Sequence, residues 1–128
     1  MREKRRFIRF EISLKVTYTI QKEPRIEKTG VTKDVTVGGI QLLTNEQFEI
    51  GNKLEIKMFL PTALNPVHLD GIVLWSKETV SDTGHLYNTG IEFGDIEEDN
   101  KSTFLKFLCD LMYQKAGELK KIREKTDG

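Results

Sequence analysis

Apolar and polar residues alternate strictly from Ile8 to Ile20, with apolar residues at the even positions and polar residues at the odd ones. This period of two predicts a long β-strand with one buried face. Shorter stretches that favour strands follow at about residues 26–35, 40–43, 54–60, 66–77 and 87–93. Gly30 permits a bend or bulge in the first of these. Such spacing predicts an antiparallel sandwich or a small barrel, and we favour the barrel because closure leaves no exposed edge.

The period changes after Gly94. Asp95 and the acidic residues that follow it are typical of a helix start, and basic residues dominate the end of the segment. We therefore predict one amphipathic helix over residues 95–125. Its apolar face is formed by Phe104, Leu105, Phe107, Leu108, Leu111, Met112, Leu119 and Ile122. The first half of this helix is expected to pack on the barrel, whereas Lys115 to Lys125 could project, pair with a partner or fray.

The 128 residues suit one domain, and their net charge is zero. The positive charge is concentrated in a basic arm, residues 1–9, which indicates a localised anionic partner and not DNA gripped by the whole surface. Cys109 is the only cysteine, and no apolar run approaches the roughly 20 residues of a membrane span. We expect a cytoplasmic protein without membrane insertion.

Two short motifs carry candidate chemistry. The first is an RxxxR spacing formed by Arg5 and Arg9, with Arg6 between them. Forked guanidinium groups suit phosphate oxygens and the edge of guanine, although a solvated arm would have the same sequence. The second runs from Asp34 through Thr36 to Gly38 and Gly39, where glycines that can adopt positive φ would let a ligand approach the backbone. Taken alone, this motif favours a turn that only shapes a hairpin.

In combination, the two motifs resemble those of the PilZ domain family. Asp34, which opens a D-x-[ST]-x-x-G motif, comes 25 residues after Arg9. The segments 71–75 and 89–93 are similar to later strands of that family, and the terminal helix is similar to its closing helix. The resemblance extends from about Arg5 to Leu111.

The resemblance implies a mainly β fold, namely a six-stranded antiparallel β-barrel over residues 8–94 with a C-terminal α-helix. It also implies that the barrel binds the bacterial second messenger cyclic di-GMP as a ligand, with no cofactor. The implied ligand-binding residues are Arg5, Arg6, Arg9, Asp34, Thr36, Gly38 and Gly39. Thr36 departs from the serine that is usual in the family, and its extra methyl group could crowd the ligand.

A receptor of this kind is expected to order its basic arm on ligand binding and to signal to an unidentified downstream protein. Motility, exopolysaccharide production and biofilm control are the processes that the resemblance suggests. A homodimer through the C-terminal helix is possible. Two alternatives stay open: a protein-interaction module that no longer binds ligand, and a small barrel that binds single-stranded nucleic acid.

Other residues give weaker signals. His68 and His85 fall in different segments and no metal-binding motif accompanies them, so a metal site is not expected. Cys109 is interpreted as a small packed residue of the helix. Trp75 is interpreted as core or rim packing, with stacking on guanine as the lesser option. No P-loop, nucleophile elbow or carboxylate pair supports an enzyme.

Overall fold

The computed structural model describes residues 8–21, 26–81 and 84–127, and the side chains of the helix as far as Glu118. In these residues six strands precede one helix. The elements are β1 (Lys15–Ile20), β2 (Lys28–Val35), β3 (Gly39–Thr44), β4 (Lys53–Met58), β5 (Val67–Ser81), β6 (Gly84–Phe93) and α1 (Glu98–Asp127). All neighbouring strands are antiparallel, in the order β1-β2-β3-β6-β5-β4, and β4 pairs again with β1. The predicted six-stranded antiparallel barrel with a C-terminal helix is confirmed.

The first strand is shorter than its pattern predicts, because β1 begins at Lys15 and not at Ile8. Upstream of β1, backbone bonds to β2 occur at Leu14 and Phe10, and the side chain of Thr32 on β2 bonds the backbone between them in place of a regular ladder. Its hydroxyl donates to the carbonyl of Ile12 over 2.6 Å and accepts from the backbone N–H of Leu14 over 2.9 Å. From Phe10 to Leu14 the apolar side chains are still less exposed than the polar ones, whereas Ile8 is exposed and does not continue the buried face.

The irregularity of β2 also differs from the prediction. The register between β2 and β3 shifts between Thr32 and Asp34, so the bulge lies at Lys33 and not at Gly30. Gly30 is required for another reason, since a Cβ at that position would lie 2.8 Å from the carbonyl oxygen of Leu43. The bulge turns Asp34 and Val35 into register with the start of β3.

The core fills the barrel and continues beneath α1. At one end of the barrel, Phe48 packs edge-to-face on Tyr18 with ring centroids 5.3 Å apart. The Tyr18 hydroxyl donates to the carboxylate of Glu46. Burial, and then this hydrogen bond, raise the pKa of Tyr18 well above its usual range. At the other end, three side chains of α1 join the core, namely Phe104, Phe107 and Leu108.

The helix differs from its prediction at its start and on its outer side. It begins at Glu98, and the first helical bond runs from Lys101 N–H to the carbonyl of Glu97, so Asp95 does not cap it. Met112 is about half exposed, and Cys109 is exposed and not packed as predicted. In the described part of the chain, no helix is long and apolar enough to cross a membrane.

Candidate functional site

The two sequence motifs meet at the barrel end that α1 covers. Phe10 and Val35 exchange two backbone hydrogen bonds of 2.9 Å, which place the segment before β1 beside the end of β2. Arg9 precedes one partner of this bridge and Asp34 precedes the other. The bridge therefore brings together residues that are 25 positions apart in the chain.

Arg9 lies over Asp34 on the outside of the barrel. One guanidinium nitrogen of Arg9, Nη1, is 3.5 Å from Oδ2 of Asp34, and their side chains are 34% and 8% exposed. This separation is longer than the roughly 2.7–2.9 Å of a strong charged hydrogen bond, so the pair is loose. Arg9 Nε is buried and has no hydrogen-bond partner among the described residues. The guanidinium can therefore donate further hydrogen bonds.

The second motif forms a tight turn between β2 and β3. The Thr36 hydroxyl accepts from the backbone N–H groups of Gly38 and Gly39, both over 3.0 Å. The Thr36 N–H donates to the carbonyl of Gly39 over 2.9 Å, which closes the turn. Thr36 therefore acts inside the loop. A serine hydroxyl could make the same bonds, and the methyl group of Thr36 takes no part in them.

Gly39 is needed for space and not for the positive φ that its sequence context suggests. The glycines with positive φ in the described residues are Gly51 and Gly84. A Cβ on Gly39 would lie 2.2 Å from the carbonyl oxygen of Ile91, which is far inside contact distance. On the same turn, the carbonyl of Gly38 accepts from the N–H of Phe93 over 2.9 Å. Both glycines fix the turn against β6.

A row of outward positions continues from Asp34 across the sheet. Asp34 pairs with Gln41 on β3, Gln41 with Gly90 on β6, and Gly90 with Trp75 on β5. A Cβ on Gly90 would lie 2.4 Å from Trp75 Nε1, so the indole covers this glycine. With about 4.8 Å between neighbouring strands, Asp34 and Trp75 lie about 14 Å apart on one surface. Sequence alone placed Trp75 in the core or rim, because the partner of Gly90 cannot be read from the pattern.

A groove with a volume of about 500 Å³ separates the Arg9 segment from α1. Its walls are apolar at Phe10, Ile12 and Leu111, and charged at Glu11, Lys115 and Glu118. Arg9 lines this groove as well as contacting Asp34. Arg9 therefore belongs both to the candidate site and to the groove beside α1.

The remaining candidate residues either lie away from this surface or fall outside the residues that the structure describes. Arg5 and Arg6 are outside the described residues. His68 donates its backbone N–H to Asn100, and the His85 ring contacts Glu78 on the neighbouring strand. In residues 8–21, 26–81 and 84–127, no group of His, Cys, Asp and Glu side chains is arranged to hold a metal ion.

Solved structures of several known proteins are similar to this chain. Among solved structures, the chain is similar to MrkH of K. pneumonia in its apo state, with 18% identity and a TM-score of 0.73 over 92% of this chain and 55% of that one. It is also similar to the PilZ domain of YcgR from Escherichia coli with c-di-GMP, with 12% identity and a TM-score of 0.67 over 91% of this chain and 96% of that one.

A third similar structure is the inhibitor of motility MotI/DgrA of Bacillus subtilis, with 16% identity and a TM-score of 0.66 over 88% of this chain. The chain spans about half the length of that protein, 53%, and of MrkH, 55%. No curated relative matches the chain. The family model described as PilZ domain matches residues 3–109, which is most of the sequence. The chain belongs to the PilZ domain family.

Proposed function

We propose that this protein is a receptor for cyclic di-GMP, with Arg9 and Asp34 as the central ligand-binding residues. PilZ domains are binding modules and not enzymes, and two of the structurally similar proteins are described as complexes with c-di-GMP. The observation that carries the proposal is the loose Arg9–Asp34 pair on the outer side of the barrel, in which Asp34 is covered by Arg9 and one buried Arg9 donor has no partner among the described residues.

The chemistry of the pair matches the ligand. Cyclic di-GMP carries two phosphate charges and two guanine bases. A forked guanidinium can bind phosphate oxygens or the O6/N7 edge of guanine, and a carboxylate can accept the N–H groups of a guanine. Arg9 can exchange its 3.5 Å contact with Asp34 for shorter bonds to the ligand, which leaves the Asp34 carboxylate to accept from the base. Both side chains then gain charge-assisted hydrogen bonds.

The rest of the surface supports the same ligand. The turn at residues 36–39 is closed by its own hydrogen bonds and follows Asp34 directly, and Trp75 offers an aromatic surface in the same row as Asp34. Arg5 and Arg6 precede Arg9 in the chain and would add positive charge to the site. In this proposal the basic arm folds onto the bound ligand and presents a new surface to a downstream protein. A homodimer through α1 is a further possibility.

Calorimetric titration with cyclic di-GMP tests the proposal. We expect saturable binding by the wild-type protein that GTP does not reproduce. Arg9→Ala should weaken it about ten- to a hundred-fold, because a hydrogen bond to a charged group contributes about 1.5–3 kcal/mol. Arg9→Lys keeps the charge but not the forked guanidinium, and its affinity should lie between those of the wild type and Arg9→Ala. Lys53→Ala, which removes a charge at the start of β4 at the opposite end of the barrel from Asp34, is the matched control.

Two results would separate the alternatives. A folded wild-type protein that releases no heat with cyclic di-GMP would contradict the receptor and favour the interaction module without ligand. Binding to long oligonucleotides that weakens steeply with salt would instead favour the single-stranded nucleic-acid binder. The zero net charge of the chain counts against that second alternative.

A further inference from the structure

Asn88 lies on the same outer surface as the Arg9–Asp34 pair, one row along. On β6 the residues with odd numbers, such as Ile91, point into the core, so Asn88 and Gly90 point outwards. Asn88 pairs with Leu43 on β3 and with Lys77 on β5. It is therefore two residues from Gly90 and diagonal to Trp75. No pattern in the sequence draws attention to this asparagine.

The side-chain oxygen of Asn88 is buried and has no hydrogen-bond partner in the described part of the chain. A buried acceptor without a donor is unfavourable, and a native structure that keeps one needs a reason. Two more such atoms occur in the described residues. One, Thr17 Oγ1, is on β1, and the other is Arg9 Nε. A donor, Arg9 Nε, and an acceptor, Asn88 Oδ1, thus both lie on the outer side of the barrel without a partner among the described residues.

The surroundings of Asn88 suit an aromatic base. Trp75 lies on the neighbouring strand, and Lys77 Nζ is 5.6 Å from the centroid of its ring. Asn88 is two strands away from Asp34 and one outward row along the strands. From the usual strand spacing and rise per residue, the two positions lie about 12 Å apart. A ligand with a base at each end can therefore use both positions at once.

We propose that Asn88 Oδ1 accepts an N–H of the second guanine of cyclic di-GMP and so helps to select guanine. The assignment depends on the proposed receptor function. The Watson–Crick edge of guanine carries donors at N1 and N2, and an enzyme or receptor that holds an unstacked base reads that edge by hydrogen bonds. Asp34 supplies acceptors for one guanine. The second guanine needs another acceptor, and Asn88 Oδ1 has the burial and the free lone pairs to provide it.

Calorimetry with cyclic di-GMP on two Asn88 variants tests this assignment. Asn88→Leu removes the acceptor with little change in shape and should weaken binding about tenfold. Asn88→Asp keeps both acceptor positions and should bind more tightly than Asn88→Leu. Asn45→Leu, which changes an exposed asparagine beyond the far end of β3, is the matched control and should bind like the wild type. Urea denaturation should show that Asn88→Leu is at least as stable as the wild type, because an unsatisfied acceptor is removed.

The outcomes distinguish this assignment from the function on which it depends. If the wild type binds cyclic di-GMP and Asn88→Leu binds equally well, the receptor stands and the role of Asn88 is wrong. If both Asn88 variants lose the same affinity, the residue acts through shape and not as an acceptor, which also overturns the assignment. A wild-type protein that does not bind cyclic di-GMP would refute the receptor itself.

Discussion

Replacing Thr32 with valine should both destabilise the protein and loosen the segment that carries Arg9. Thr32 is fully buried, and its hydroxyl makes two of the hydrogen bonds that join β2 to the chain before β1, in addition to the backbone bonds at Phe10 and Leu14. Valine has nearly the same shape, so it leaves no cavity but removes both hydrogen bonds. The N–H of buried Leu14 then lacks its partner, at about 1–3 kcal/mol, and the carbonyl of half-buried Ile12 loses a bond of about 0.5–1.5 kcal/mol. We expect the free energy of unfolding to fall by about 2–4 kcal/mol.

Urea denaturation measures this loss, with Thr29→Val as the matched control. Thr29 is on the same strand but exposed, so its replacement should change the free energy of unfolding by less than about 0.5 kcal/mol. In native conditions, Thr32→Val should also bind cyclic di-GMP more weakly, because a smaller fraction of molecules holds Arg9 in place. If Thr32→Val unfolds at the same urea concentration as the wild type, the hydroxyl does not hold this segment and the reasoning is wrong.

Three further changes test the fold by denaturation. Gly39→Ala should cost about 1–3 kcal/mol, since the new Cβ would lie 2.2 Å from a backbone oxygen of β6, whereas Gly117→Ala in open space on α1 should stabilise by about 0.5–1 kcal/mol. The raised pKa of Tyr18 contributes stability below pH about 10 that is lost as the pH rises towards the higher folded-state pKa, and Tyr18→Phe should remove that dependence. Phe104→Ala should cost about 3–5 kcal/mol by opening the core beneath α1.

The strand pattern predicted the barrel well because burial alternates wherever a strand has one inner face. The pattern does not predict the places where the hydrogen bonds differ from those of a regular ladder. From Ile8 to Leu14 the pattern is that of a strand, yet the backbone bonds to β2 are confined to Phe10 and Leu14, and the Thr32 side chain bonds the backbone between them in place of a regular ladder. The bulge at Lys33 was missed for a similar reason. Both features depend on a partner strand, and no local period can show them.

The candidate site was predictable in part. Two short motifs could be matched to a family, and in the structure one residue of each motif, Arg9 and Asp34, lies within 3.5 Å of the other. The sequence pattern assigns Trp75 to packing, and neither motif includes Asn88. Their relation to Asp34 exists only through the registers of β2, β3, β6 and β5, which bring distant residues into neighbouring rows. Sequence motifs therefore indicate where such a site begins, and the sheet register determines how far it extends.

The residues of the second motif divide into two groups with different physical roles. Thr36 and Gly39 build the turn, the first through its hydroxyl and the second through the missing side chain, whereas Asp34 holds a mostly buried carboxylate beside Arg9. A substitution at Gly39 would abolish ligand binding by displacing the turn from β6, even if the ligand never contacts that glycine. Loss of binding alone therefore cannot identify a ligand contact in this motif. Affinity and unfolding free energy must be measured on the same variant, because only a contact residue lowers the first and spares the second.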